Sequence, residues 1–464
     1  MPKETGVLGR LTSAFRRKPK VDLVVGLDFG TSSTKAAYRE LGSAARRVRP
    51  ILFEHELGVY PSYCWPSVGV VTKARRLVWG PDAIRRLEDE SWSSGIRRLK
   101  VLVAGEYDVA FRDIRAVQAY EEHLALAGLK PDSYRPEYLA AVALAKQMHV
   151  VRTILTKAYK GAELDIRFNV CVPIDHLEHS RMVDVHRKIN LIAEELYNSW
   201  MSEGWGDNEL VDVAASKFDD AESAASHNGR LFAMPEAMAE IASYLGSLET
   251  KRGIHAVIDV GAGTTDLSIF NLVGLTAHQH DCYWYAARNV PRGAGYVEAE
   301  IAKHLTKSSK TLTLTEGELL RALDESGRKP DLAAVVRKEL EKIWNALRAT
   351  WTEGYARHYK KQSAWEDIPV FVCGGGAKLP GVKDVFARAW VPNFKNFRVR
   401  ELPVPDDYDA LGGAAPFDRL SVAYGLTFLS PELGDFALPS DSPDHTPVLH
   451  LKDLPMPWTD NEPG

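Results

Sequence analysis

The sequence predicts a fold of the α/β class that contains more than one domain. The first observation is length, since 464 residues exceed what one compact core usually accommodates. The second is a repeated motif, in which an apolar, β-branched strand ends in Asp, turns through Gly and Thr, and resumes as a second strand. It occurs as VDLVVGLDFGTSSTKAAY at residues 21–38 and as IHAVIDVGAGTTDLSIF at residues 254–270. The two copies indicate two related domains, each containing one of these hairpins.

The turns of both hairpins have the composition of a phosphate-binding site. Their glycines let backbone N–H groups approach phosphate oxygens closely, and their hydroxyl groups donate further hydrogen bonds. Asp28 and Asp259 end the first strand of each hairpin and are suited to hold Mg²⁺ largely through its water ligands. Two such turns predict a triphosphate held from two sides. The turn residues expected to bind it are Gly30, Thr31, Ser32, Ser33, Gly261, Gly263, Thr264 and Thr265.

A third glycine turn occurs in IPVFVCGGGAKLPGVKDVFARAW at residues 368–390. A buried strand, a glycine turn and an amphipathic helix in this order are a common way to bind a nucleotide. Further along, DRLSVAYGLTFL at residues 418–429 predicts a small-residue helix, in which Ala423 and Gly425 permit close packing against a base or another helix. The nucleotide contacts expected from the turn are Gly374, Gly375, Gly376 and Lys378.

In their order along the chain, these segments resemble the actin, heat-shock protein 70 and sugar-kinase superfamily of ATPases over residues 21–430. The resemblance implies a two-lobed actin-like ATPase fold. Each lobe would be a mixed β-sheet of the ribonuclease-H-like type with flanking helices, and ATP or ADP would lie in the cleft between the lobes. The hairpins would be the phosphate 1 and phosphate 2 motifs, and the GGG turn would contact the adenosine. NVPRGAGYVEAEIAKHL at residues 289–305 adds Gly293 to the nucleotide contacts.

The same resemblance suggests two helices that cross between the lobes. PEAMAEIASYLGSL at residues 235–248 resembles the first connecting helix, and the predicted helix at residues 418–429 resembles the second or its close neighbour. The heat-shock proteins carry a lysine that polarises the γ-phosphate, and the matching residue in SGIRRLK is Arg97. Arginine retains the charge but differs in reach and geometry.

Two other residues resemble the actins of plasmid partitioning. Lys35, seven residues after the first Asp, matches their phosphate-binding lysine, and Glu236, after Pro235, matches the acid that positions the attacking water. The catalytic residues implied by the resemblance are Lys35 and Glu236, with Asp259 and Asp266 as competing candidates for the acid.

Several of these residues also have purely structural interpretations. Lys35 can extend to solvent from a strand, Glu236 can be an ordinary first-turn acid of a helix, and Arg97 can be a solvated cation at a helix end. For His176, His179 and His186 we expect surface histidines rather than a metal site, because no cysteine or further acid converges on them by sequence. Helical spacing predicts a core or interface role for Trp344, Trp351, Tyr355 and Tyr359.

The resemblance and the composition divide the chain into four segments. Residues 1–20 are a basic leader, which either lies on an anionic membrane, docks a partner or is simply solvated. The first lobe would cover residues 21–248 and the second lobe residues 249–435. Residues 436–464 are rich in Pro and Asp and predict an extended or disordered tail.

Composition excludes several classes of protein. A net charge of -4 with 26% charged residues gives no basic excess that would indicate nucleic-acid binding. No stretch approaches the roughly 18 apolar residues of a membrane-spanning helix, and the N-terminus lacks the apolar core of a signal peptide. Four cysteines without a CxxC pair fit reduced thiols. We therefore expect a cytoplasmic protein with Cys171 and Cys373 in its core.

Three functions compete for a chain of this kind. The heat-shock order of segments favours a Mg²⁺-dependent ATPase, or an ATP sensor without hydrolysis, that acts as a nucleotide switch on a protein partner and lacks its own substrate domain. Lys35 and the MPE turn favour an actin-like protein that assembles into filaments. DFGTSSTKA resembles carbohydrate kinases, but no separate loop supplies their catalytic aspartate. The charged, helix-prone residues 103–134 are the candidate partner surface.

Overall fold

The chain is a mixed α/β protein, as predicted. The computed structural model describes residues 18–43, 45–57, 60–89, 95–131, 134–203, 210–220, 229–276, 279–306, 330–357 and 361–442. The strands are β1 (Lys20–Phe29), β2 (Ser33–Glu40), β3 (Val48–Pro50), β4 (Trp65–Pro66), β5 (Gly69–Val71), β6 (Leu77–Trp79), β7 (Glu163–Val172), β8 (Leu231–Pro235), β9 (Gly253–Val260), β10 (Thr265–Thr276), β11 (Gln279–Val290), β12 (Pro369–Cys373), β13 (Arg398–Arg400) and β14 (Asp435–Ala437). The helices are α1 (Pro81–Asp89), α2 (Leu99–Tyr107), α3 (Ile114–Leu126), α4 (Pro136–Ala158), α5 (Ile174–Leu177), α6 (Ser180–Glu203), α7 (Leu210–Asp220), α8 (Glu236–Leu245), α9 (Ala294–Thr306), α10 (Pro330–Arg357), α11 (Gln362–Trp365), α12 (Val382–Phe386) and α13 (Ser421–Gly425).

Two six-stranded sheets organise the described residues. The first sheet has the order β3-β2-β1-β7-β8, with β4 paired to β2, and the second has the order β13-β12-β9-β10-β11-β14. In the first, β1 pairs antiparallel with β2 and parallel with β7. In the second, β9 pairs antiparallel with β10 and parallel with β12. Apart from β4 and β14, the sheets have the same strand order and directions, so the motif repeated in the sequence marks a repeated topology.

Strand β1 is apolar along its length because both of its faces are covered. Val24, Val25 and Leu27 are fully buried, which is the usual pattern for a strand within a sheet that has packed layers on both sides. Gly26 lies directly beneath α13, and a Cβ atom there would come within 2.1 Å of the carbonyl oxygen of Ala423. The glycine therefore lets helix α13 pack tightly against the strand that ends in Asp28.

Three large hydrophobic clusters form most of the core of the described residues. One surrounds the first sheet and one surrounds the second, while a third lies between them and includes Val257, Phe270, and residues of α8 and α13. These two helices touch closely, since a Cβ on Gly425 would lie 1.8 Å from the carbonyl oxygen of Ala239. The sequence left open whether Gly425 packs against a base or a helix, and the structure shows it packed against helix α8.

The helices near the cleft are shorter than the sequence predicts. The helix expected at residues 235–248 is α8, which ends at Leu245 and leaves Leu248 exposed. The helix expected at residues 418–429 is reduced to α13, preceded by a 3₁₀ turn at Phe417–Arg419. After the GGG turn the chain forms a 3₁₀ turn at Gly375–Lys378 and then the five-residue helix α12. Such short elements are held by tertiary packing rather than by helix propensity.

The predicted ends of the chain are described only in part. Most of the leader, residues 1–17, and residues 443–464 of the tail lie outside the described residues. The predicted tail boundary needs correction, because Phe436 and Ala437 pair with Cys282 and Tyr283 of β11 and so belong to the second sheet. No described helix combines the length and the apolar composition needed to span a bilayer.

The prediction of surface histidines is wrong for His176, which is buried. Its ring stacks on that of the half-buried His186, with Nδ1 of His176 3.2 Å from Nε2 of His186, while His179 is exposed. Burial lowers the pKa of His186 to about 3 and holds that of His176 well below its usual range. The two histidines lie on different helices, His176 on α5 and His186 on α6, and the packing of these helices brings their rings together.

The aromatic and cysteine predictions are confirmed where they are described. Trp344 and Trp351 are buried and Tyr355 packs against the same cluster, whereas Tyr359 lies outside the described residues. Cys171 and Cys373 are buried, and all four cysteines carry free thiols. Residues 103–134 contribute α2 and α3, whose buried residues include Val103 and Tyr120.

Candidate functional site

The first hairpin places a lysine beside its aspartate. Asp28 and Lys35 are register partners across β1 and β2, so their side chains lie on the same face of the sheet. Lys35 Nζ donates to Asp28 Oδ2 at 2.8 Å, and both side chains are largely buried. Burial acts to lower the pKa of Lys35, but the Asp28 carboxylate outweighs it and raises that pKa above its ordinary value. Lys35 therefore faces the site and does not extend to solvent.

In the second hairpin, the residue paired with the strand-ending aspartate is another aspartate. Asp259 and Asp266 are register partners across β9 and β10, the same relation that joins Asp28 and Lys35. Burial raises the pKa of Asp259 to about 7, and the charges of Glu236 and Asp28 add to the shift. Burial and the charges of Glu236 and Asp259 hold the pKa of Asp266 well above its usual range. Two adjacent buried carboxyl groups cannot both ionise easily unless a cation binds between them.

The turns of the two hairpins touch each other. A Cβ atom on Gly263 would lie 2.5 Å from Cγ2 of Thr31, and within the first turn a Cβ on Gly30 would lie 2.5 Å from the carbonyl oxygen of Ser33. Neither glycine leaves room for a side chain. Because no side chain covers these positions, the backbone N–H groups of each turn are open to a ligand bound between the two sheets. A phosphate-binding turn requires this.

Helix α8 points two acids into the same space. Glu236 is its first residue and Glu240 follows one turn later, so both lie on one face of the helix. Glu240 is only 2% exposed, and its Oε1 atom has no hydrogen-bond partner among the described residues. Burial and the charge of Asp259 hold the pKa of Glu240 well above its usual range. Glu240 was not predicted from the sequence, although an acid in the otherwise apolar segment AMAEIASYL was an available signal.

A second missed residue is Lys100, in the first turn of α2. Its Nζ lies 3.4 Å from Oε2 of Glu236, and both side chains are mostly buried. Burial acts to lower the pKa of Lys100, but the charge of Glu236 outweighs it and raises that pKa. Arg97, the residue matched to the heat-shock lysine, also lines the cavity, but Lys100 is the cation that meets Glu236. A single lysine in the apolar run LKVLVA was the available signal.

The third glycine turn closes the site beside Asp259. Gly374 has a positive φ of 77°, and a Cβ there would lie 1.9 Å from Oδ1 of Asp259. Lys378, at the end of the same turn, pairs with Asp418 at 2.8 Å near the mouth of the cavity. The turn thus follows the strand next to β9, as the sequence predicts, and brings backbone atoms to the second hairpin.

These segments enclose one cavity of about 310 Å³, at the small end of the volumes typical of ligand sites. All but three of the predicted site residues line it. Thr265 is instead fully buried and donates its hydroxyl to the carbonyl oxygen of Arg292. Gly293 packs against the carbonyl oxygen of Gly261, and Gly376 packs against Val260. These three residues support the hairpin and turn rather than line the cavity.

The charges in the cavity fit a bound divalent cation. Seven acids line the cavity against three lysines and three arginines, and Asp259 Oδ1, like Glu240 Oε1, has no hydrogen-bond partner among the described residues. Buried acceptors without partners are costly, and a hard divalent cation with its water ligands would satisfy them. The carboxyl groups that line the cavity beside Lys35 and Lys100 include Asp28, Glu236, Glu240, Asp259 and Asp266.

Hydrogen bonds from residues that line the cavity to their neighbours link the two halves of the protein. Asn289 on β11 donates its side-chain amide to Asp266 and its backbone N–H to Asp175 on α5. Asp113 accepts hydrogen bonds from Arg98 of the first half and Tyr296 of the second. The site is therefore shared between the sheets, and a change in their separation would alter these contacts.

Comparison of the chain with models of known protein families and with curated proteins found no match. The functional assignment therefore depends on the geometry of the cavity and on the motifs that line it.

Proposed function

We propose that the protein is a Mg²⁺-dependent ATPase of the actin and heat-shock protein 70 type, with the nucleotide in the cleft between its two sheets. It acts as a nucleotide switch on a protein partner. The single observation that carries this proposal is the meeting of the two hairpin turns across one cavity, with Thr31 against Gly263 and an aspartate at the base of each turn. The duplicated strand order, and the two helices that pack between the sheets, support the two-lobed form of this fold.

The residues divide into three groups by their position in the cavity. The turn amides and hydroxyls of the two hairpins would hold the phosphates, and Gly374, Gly375 and Lys378 lie where the adenosine would be expected. Asp28 and Asp259 would hold Mg²⁺, mainly through its waters, and the ion would neutralise charge on the β- and γ-phosphates. Lys35 adds a fixed positive charge beside Asp28.

Glu236 is the preferred residue for orienting the attacking water. The Lys100 ammonium lies 3.4 Å from its Oε2 atom, and the carboxyl group has further acceptor positions for a hydrogen bond from water. The competing acids have raised pKa values, to about 7 for Asp259 and well above the usual range for Asp266, so without a cation they favour the protonated form. Their main role is then to bind the cation.

A second function, the actin-like filament former, is favoured by one specific observation. Lys35 and Glu236, the two residues that resemble the plasmid-partitioning actins, both line the cavity.

A carbohydrate kinase is the third and least supported candidate, because no additional aspartate loop was found in the sequence to deprotonate a sugar hydroxyl.

The test is to sediment the purified full-length chain with Mg-ATP, with Mg-ADP and without nucleotide while following phosphate release in the same tubes. The switch predicts phosphate release from protein that stays in the supernatant. Pelleting with ATP followed by disassembly as phosphate appears would establish the filament former instead. The absence of phosphate release together with tight ATP binding would leave an ATP sensor.

The Glu236→Gln variant tests the assignment of the water-orienting acid. Loss of a general base typically lowers turnover by about 10² to 10⁴-fold. We expect a decrease in this range with ATP affinity nearly unchanged, measured as phosphate release at saturating ATP. Glu195→Gln, which changes an exposed acid on α6 outside the cavity, is the matched control and should have little effect on turnover. Equal losses in the two variants would remove Glu236 from this role.

A further inference from the structure

Asp113 is a buried carboxylate at which three helices meet. Its Oδ1 atom caps α3 by accepting hydrogen bonds from the backbone N–H groups of Arg115 and Ala116, at 3.0 and 3.3 Å. Its Oδ2 atom accepts one hydrogen bond from Nη1 of Arg98 at 2.8 Å and another from the hydroxyl of Tyr296. Arg98 directly precedes α2, and Tyr296 is the third residue of α9. One side chain thus joins α2 and α3 of the first half to α9 of the second.

These contacts are shielded from water. The Asp113 side chain is 4% exposed and that of Arg98 is 25% exposed. The Arg98 guanidinium also lies over the ring of Tyr296, with its Cζ atom 4.7 Å from the ring centroid. Burial acts to raise the pKa of Asp113, but the hydrogen bond from Tyr296 and the charge of Arg98 outweigh it and lower that pKa. Loss of the Tyr296 contact would leave a buried charge with fewer hydrogen bonds, which is costly.

The second hairpin turn is hydrogen-bonded to the start of the same helix α9. The backbone N–H of Ala294 donates to the carbonyl oxygen of Gly261, and that of Gly295 donates to the carbonyl oxygen of Ala262, both at 2.8 Å. The contact is close, since a Cβ atom on Gly295 would lie 2.9 Å from the same oxygen of Ala262. A ligand that holds or shifts this turn would therefore hold or shift the first turn of α9, and Tyr296 with it.

We propose that Asp113 transmits the state of the second hairpin turn to helix α3. Phosphate bound at the turn steadies the first turn of α9, this tightens the contact of Tyr296 with Asp113, and the capped end of α3 becomes more rigid. Helix α3 belongs to residues 103–134, the candidate partner surface, so the contact gives the nucleotide a route to a partner. The coupling to nucleotide rests on the proposed function, whereas the contact of Tyr296 and Asp113 with α3 does not.

The experiment is hydrogen–deuterium exchange of the full-length protein, measured by mass spectrometry on peptides that cover α3. Tyr296→Phe removes only the hydroxyl group, and a hydrogen bond to a charged group typically changes an equilibrium by about tenfold or more. Without nucleotide, we therefore expect exchange in the first turn of α3 to be about tenfold faster in this variant. Saturating Mg-ATP should slow the same exchange in the unaltered protein but not in Tyr296→Phe.

Tyr285→Phe is the matched control, because it removes a buried hydroxyl that accepts a hydrogen bond from Asn271 within the second half. This variant should behave as the unaltered protein at α3, both with and without Mg-ATP. Strand β7, in the middle of the first sheet, is the internal reference. Exchange that rises equally in β7 and α3 of Tyr296→Phe would show a loss of overall stability and overturn the proposal.

Two other results would also overturn it. One is unchanged exchange at α3 in nucleotide-free Tyr296→Phe, and the other is slowing by Mg-ATP that persists in this variant. Isothermal titration with Mg-ATP on the same samples separates the proposal from the proposed function. If ATP does not bind, the proposed function fails and the coupling to nucleotide fails with it, but faster exchange in nucleotide-free Tyr296→Phe still supports the contact with α3. If ATP binds and α3 does not respond, only the transmission fails.

Discussion

The two hairpins occupy equivalent places in equivalent sheets, yet their paired side chains differ in charge. Asp28 on β1 faces Lys35, whereas Asp259 on β9 faces Asp266. The opposite charges of the first pair cancel within the hairpin. Burial and the charge of Glu236 raise the pKa of both members of the second pair, and an oxygen of Asp259 has no hydrogen-bond partner among the described residues.

This difference shows how a duplicated fold can produce an asymmetric site. The first hairpin brings its own cation and so holds its shape without a ligand. The second hairpin depends on a cation from elsewhere, supplied in part by Lys100 and, in the proposed function, by Mg²⁺. Ligand binding would therefore stabilise the second sheet more than the first.

The largest predicted effect is on the first hairpin. Asp28→Asn leaves Lys35 buried without its counter-charge, and breaking a buried pair typically costs about 3–5 kcal/mol. We expect this loss in the free energy of unfolding, measured by urea denaturation without nucleotide. Asp165→Asn is the matched control, since it breaks an exposed Lys–Asp pair with Lys20 at the start of β1 and should cost about 1 kcal/mol or less. Equal losses would contradict a special role for the Asp28–Lys35 pair.

The second hairpin should respond in the opposite direction. An unfolded Asp titrates near pH 4, whereas the pKa of Asp259 in the fold is about 7, so the folded state holds a proton that the unfolded state has lost. The stability from this proton is complete below about pH 4 and is lost as pH rises to about 7. The side chain in Asp259→Asn does not titrate, so the variant keeps its stability as the pH rises. We therefore expect it to be more stable than the unaltered protein over that range, by at most about 4 kcal/mol.

The comparison of Asp259→Asn with the unaltered protein needs urea denaturation at several pH values. Mg²⁺ provides the internal control, because it should stabilise the unaltered protein and reduce the difference near pH 7. A difference that does not change with pH would show that Asp259 is ionised without a cation, and the contrast between the hairpins would then fail.

The smallest predicted effect concerns the contact between the turns. Gly263→Ala places a methyl group against Cγ2 of Thr31 and should cost about 1–3 kcal/mol, as overpacking usually does. Thr31→Ser removes that Cγ2 atom, so the double variant should recover part of the loss. Gly246→Ala is the control, because its Cβ would make only ordinary contacts with the end of α8. If the two changes were simply additive, the turns would not meet as described.

Much of the fold could be predicted because its central strands are marked locally. Strands β1 and β9 are apolar runs that end in Asp, and each forms the predicted hairpin with the next strand. Short elements had no such signal. Strand β14 has three residues and depends on β11 for its pairing, and α13 is a single turn set by close packing at Gly425.

The candidate site was predictable where its residues lie in glycine turns. It was not predictable where side chains reach the cavity from helices, because the facing direction of a helix depends on tertiary packing. Lys100 and Glu240 look like ordinary members of amphipathic segments until α2 and α8 are placed beside the hairpins. The same reason explains His176, which tertiary packing buries against the ring of His186.

The most direct test of the central claim is isothermal titration of the full-length protein with ATP, in the presence of Mg²⁺ and again with the metal chelated. The account predicts binding that requires Mg²⁺ and that weakens by at least about tenfold, or about 1.4 kcal/mol, in Asp259→Asn. No heat of binding at about 1 mM Mg-ATP, or equal affinity with and without Mg²⁺, would contradict the assignment of this cavity to a metal-bound nucleotide.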